Sequence, residues 1–96
     1  MEFKELRDKC QNPKIEEVDK IYKALYKLLE DTNNMDFDYL DHFKEKFFTK
    51  IEKLTFKQCC TVLTFILRSE HFSNGSFADY FMDRTVYRLL DRAAQL

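Results

Sequence analysis

One glycine and one proline among 96 residues fall far below the usual ~7% and ~5%. A β-sandwich or barrel needs such residues at turn after turn, so that class is excluded. The longest run without a charged side chain, Gln58 to Leu67, is ten residues, about half of the ~20 that a membrane-crossing helix requires. The opening Met1-Glu2-Phe3-Lys4-Glu5-Leu6 has no apolar stretch of the kind an export signal carries. Net charge is almost absent too. The chain has 16 basic and 17 acidic residues, so the positive excess of a nucleic-acid binder is missing. Two histidines and three cysteines, two of them the neighbours Cys59 and Cys60, offer neither zinc-ligand spacing nor a disulfide framework. The expectation is free thiols in a reducing cytoplasm, with no metal and no cofactor.

Hydrophobic residues at 45% and charged residues at 34% describe an ordinary globular chain. Its patterning predicts one all-α domain over residues 1–96, an irregular bundle of about five to six helices. Phe3, Leu6 and Cys10 mark a short amphipathic helix that Asn12-Pro13 ends. Ile15, Val18, Tyr22, Leu25 and Leu29 alternate at three and four residues and predict a helix over about 14–31. Ile21 and Leu28 widen its stripe; a stripe broader than one core can cover would make a homodimer. Asp36 reads as the N-cap of a third helix, with Met35 and Leu40 as a hydrophobic staple and Leu40, Phe43, Phe47, Phe48 and Ile51 as its buried face. Residues 49–53 read equally as helix or loop.

Leu54-Thr55-Phe56-Lys57-Gln58 is the strongest local signal. Thr55 and Gln58 form a capping box, and Leu54 and Cys59 stand at the staple positions. The helix that follows, running to about Phe72, is apolar nearly all round and belongs at the centre of the fold. Gly75, in Ser73-Asn74-Gly75, suits a left-handed cap. Ser76 then starts a short helix, Phe77 to Met82, and a final helix covers Val86 to Gln95 after the turn Asp83-Arg84-Thr85.

Few residues point to chemistry. Asp38, His42 and Glu45 share one helix face, but one face rarely closes a metal site, so a solvated surface is expected. Lys44, Lys46, Lys50, Lys53 and Lys57 are read in the same way. Cys59 and Cys60, and most of the fifteen aromatic residues, are expected to pack the core. The segment Arg68-Ser69-Glu70-His71-Phe72-Ser73-Asn74-Gly75 stands apart, because the stripe Phe56, Cys59, Leu63, Ile66 continues onto a carboxylate, Glu70. A carboxylate there needs partners, either the amides of residues 77–79 or Arg88 or Arg92. One reading is a structural corner of Thr55, Gln58, Glu70, Phe72 and Gly75. The other is a small polar pocket of Arg68, Glu70, His71 and Arg88 that binds an anionic ligand or nucleotide. No nucleophile–base pair is legible, so a non-enzymatic protein is expected.

The stretch Leu54 to Leu96 resembles a domain of unknown function from small proteins of bacteria and their phages. The resemblance rests on Leu54-Thr55 with Gln58, on the pattern R-x-E-x-F-x-x-G at Arg68, Glu70, Phe72 and Gly75, and on Leu89-Leu90. It implies a helical fold with a special corner, and a glycine before the last helix where this chain has Asp83-Arg84. The expected function is an interaction or regulatory module encoded by a phage or mobile element. Another protein is the expected partner; neither a membrane nor nucleic acid is.

Overall fold

A computed structural model describes residues 1–96. Six α-helices follow in chain order: α1 (Phe3–Lys9), α2 (Val18–Asp31), α3 (Tyr39–His42), α4 (Phe56–Ser69), α5 (Ser76–Met82) and α6 (Thr85–Gln95). There is no strand, and the architecture is an irregular all-α bundle. Single 3₁₀ turns occupy Ile15–Glu17, Glu45–Thr49 and Ile51–Lys53.

The capping box opens α4 as its residues dictate. Thr55 Oγ1 accepts from the Gln58 amide at 3.1 Å and Gln58 Oε1 from the Thr55 amide at 2.9 Å, satisfying two donors that the helix end leaves free. Leu54 and Cys59 are both fully buried at the staple positions. From Cys59 to Leu67 every residue except Phe65 is buried. A helix with so little exposed perimeter has to be surrounded. α2, α3, α5 and α6 all pack against it. α6 also takes α1, where Arg7 Nη1 meets Asp91 Oδ1 at 3.2 Å. The result is one cluster of 23 buried apolar residues.

Three regions differ from the sequence expectation. α2 buries Ile21, Leu25, Leu28 and Leu29, but Ile15 is 61% exposed. Residues 15–17 form a 3₁₀ turn, which takes Ile15 out of phase with the α-helical stripe. The third helix is a single turn. Phe43 and Lys44 are extended, and the Phe43 ring lies flat on Phe65, centroids 3.9 Å apart. That contact, with the Phe43–Phe47 and Phe43–Phe48 edge packings, outweighs the modest helix propensity of the aromatic run. Leu40 is consequently exposed and makes no staple with buried Met35. Finally, α4 ends at Ser69 rather than near Phe72, and Phe72 stands in solvent.

Candidate functional site

Glu70 ends α4 and turns its carboxylate onto the start of α5. Oε1 accepts from the Phe77 amide at 2.9 Å and Oε2 from the Gly75 amide at 3.0 Å. Phe77 lies within the range 77–79 foreseen for such a contact. These amides, with nearby His71, hold the carboxyl below the usual glutamate range despite partial burial. The Ser69 and Ser76 hydroxyls meet at 2.8 Å across the same loop. Gly75 closes it at φ +90, a conformation that costs a residue with a Cβ but not glycine. The loop is thus tied at both ends, and Phe72 projects from it, 86% exposed.

A second carboxylate ties the segment around α3. Asp36 is not an N-cap; its side chain is 11% exposed against α4. Oδ2 accepts from the Thr61 hydroxyl at 2.5 Å and from His42 Nδ1 at 2.9 Å, while Oδ1 accepts from the Asp38 amide at 2.9 Å. The Asp36 amide in turn donates to Thr64 Oγ1 at 3.1 Å. Burial raises the carboxyl pKa, but Thr61, His42 and the Asp38 amide together outweigh it and leave it lowered. Thr61 and Thr64 are the only buried polar residues of the protein. This latch fixes the turn that carries Tyr39 and Leu40, the latter 80% exposed.

The two tied loops face each other. Tyr39, Leu40, Phe65, Ser69, Phe72 and Ser73 line one groove of about 280 Å³ with Leu40 on one bank and Phe72 on the other. None of these side chains is charged. Singly exposed apolar residues are ordinary, but two on one groove, each held by a carboxylate, form a defined surface.

The anion pocket suggested by the sequence is distributed differently. Arg88 Nη2 lies 2.8 and 2.9 Å from the two Glu52 oxygens, and Arg92 Nε donates to the Leu54 carbonyl at 2.9 Å. Neither reaches Glu70. His71 is exposed. Arg68 Nε is buried with no hydrogen-bond partner. The amides an anion would use at the head of α5 are already taken by Glu70. Of the structural corner, Thr55 and Gln58 cap the far end of α4, Glu70 and Gly75 make the loop, and Phe72 leaves it for solvent.

The Asp36–His42 pair has the geometry of a carboxylate orienting a general base, and it faces a cleft of about 480 Å³ shared with Lys57 and Cys60. Thr61, the nearby hydroxyl, is spent on the carboxylate, and burial pushes the Cys60 thiol up to about 12, so neither serves as a nucleophile. Sequence reasoning missed this pair. The available signal was Thr61 and Thr64, one turn apart in an otherwise apolar helix and needing partners. Asp38, His42 and Glu45 do not converge, and no group of three or more potential ligands is arranged to hold a metal.

Comparison with known proteins gives one match. The model of a family described as a family of unknown function (DUF6508) matches residues 6–96. No curated protein and no solved structure matches.

Proposed function

We propose that this chain, which belongs to the family of unknown function DUF6508, is a protein-interaction module that binds through the Leu40–Phe72 groove and regulates its partner by occupying it. The observation that carries the reading is the paired display. Leu40 and Phe72 are 80% and 86% exposed on one uncharged groove, and each sits on a loop pinned by its own carboxylate. A backbone fixed before contact loses little entropy on binding, and large apolar side chains seated in pockets dominate interface energies. Phe72 is also the one large apolar residue of the R-x-E-x-F-x-x-G pattern, and Glu70 and Gly75 serve its presentation. Three buried, unpaired cysteines suit a cytoplasmic setting. The origin in a phage or mobile element stays with the family resemblance.

A photo-crosslinking amino acid at position 72 tests this in the native host. We expect adducts at position 72 that Leu40→Ser in the same chain suppresses, and none from a probe at exposed Asp83. No adduct at position 72, or adducts indifferent to Leu40→Ser, would overturn the reading.

A further inference from the structure

We infer that the cleft between His42 and the first turn of α4 binds a small phosphate-type oxyanion, with Lys44 and Lys57 supplying the charge and His42 donating to it. The site is separate from the Leu40–Phe72 groove and does not rest on the reading given to that groove.

The balance of hydrogen-bonding groups carries the inference. His42, Lys44, Thr55, Lys57 and Gln58 line one cleft of about 450 Å³. Neither ammonium group is paired with a carboxylate. The capping box commits Thr55 Oγ1 and Gln58 Oε1 as acceptors, which leaves the Thr55 hydroxyl proton and the Gln58 side-chain NH₂ as donors without a partner. Acceptors on the same walls are scarce. Thr61 gives its hydroxyl to Asp36, and Asp41 alone brings an uncommitted carboxylate. Two ammonium groups against that one carboxylate leave the wall positive. A donor set of this size suits the three or four oxygens of a phosphate better than the two of a carboxylate. The cleft also falls within the range of small-molecule sites, about 300–1,000 Å³, so a phosphate ester fits as well as the free ion.

His42 links the site to pH. Its Nδ1 lies 2.9 Å from Oδ2 of the mostly buried Asp36. An ionised carboxylate only accepts, so Nδ1 keeps its proton and Nε2 donates only in the imidazolium form. The charged groups around the ring are Asp36, Asp38, Asp41 and Lys44 on its own segment and Lys57 on α4, beside the buried Cys60 thiol. An anion against Nε2 therefore binds together with a proton.

Amide NMR shifts of the isotope-labelled chain, followed in titrations at constant ionic strength, test the proposal. Inorganic phosphate and phenyl phosphate should shift the His42, Lys44, Thr55 and Gln58 amides saturably, and acetate should not. Tighter binding of phenyl phosphate identifies an ester as the ligand, and equal binding the free ion. Lys44→Gln and Lys57→Gln should each weaken phosphate binding about tenfold, the loss of one charge-assisted hydrogen bond, with the melting temperature unchanged. Sulfate keeps its double charge throughout and so isolates the proton on the protein. Its affinity should fall as pH is raised from about 5 to about 8. His42→Gln should remove that dependence, and His71→Gln should keep it. Shifts that do not saturate, that spread over unrelated surface, or that survive both lysine substitutions unchanged overturn the site. Sulfate binding indifferent to pH overturns the part given to His42.

Discussion

Glu70 satisfies two backbone donors with one carboxylate, and the pH dependence of the fold follows from that contact. Its pKa is lowered in the folded chain. The contribution is therefore complete above the ordinary glutamate pKa and is lost as pH falls through the folded value. Glu70→Gln should cost about 1 kcal/mol at neutral pH, the scale of a lost helix-end contact. In urea unfolding at stepped pH, the gap between wild type and variant should close in acid. Gly75 makes a complementary case. Nothing lies within 4 Å of where a Cβ would stand, yet φ is +90, so Gly75→Ala should cost about 1 kcal/mol from the backbone alone. Arg84 adopts the same left-handed region at φ +70, at the turn where the family resemblance led us to expect a glycine. Its guanidinium lies 4.4 Å over the Tyr87 ring, a contact that offsets part of the strain.

Among the elements, those with an uninterrupted 3.6-residue stripe were legible. α4 and its capping box, the buried face of α2, the Gly75 stop and the Val86–Leu90–Ala93 side of α6 all follow from spacing. The segment from Met35 to Lys53 did not, because its residues are placed by contacts distant in sequence. Phe43 goes to Phe65, and Asp36 goes to Thr61 and Thr64. Glu70 was legible as a carboxylate in an apolar stripe, whereas the groove was not, since the helical pattern that Leu40 opens is abandoned after His42 and the one that Phe72 would continue ends at Ser69. Thr61→Val tests the α3 latch. The shape is kept and the bond to Asp36 is lost, which should cost about 1 kcal/mol. Hydrogen exchange should quicken at the Asp38–Phe43 amides and stay unchanged within α5.

At the scale of the molecule, Cys10, Cys59 and Cys60 report on the whole core. All three are buried, and burial raises their thiol pKa values to about 12, 11 and 12. Ellman's reagent should label none of them faster than the chain unfolds, and all three at once in denaturant. Rapid labelling of one in native buffer would mean that the core opens locally there. The pairing of α1 with α6 carries one more consequence. Arg7 and Asp91 touch although they are 84 positions apart, so the contact closes almost the entire chain. A ribosome that has translated as far as Asp83 holds a nascent chain in which Phe3 can meet Phe56 of α4 but α1 still lacks α6, its main packing partner. Until α6 has been made, a chaperone meeting the polypeptide would find part of the apolar face of α1 uncovered.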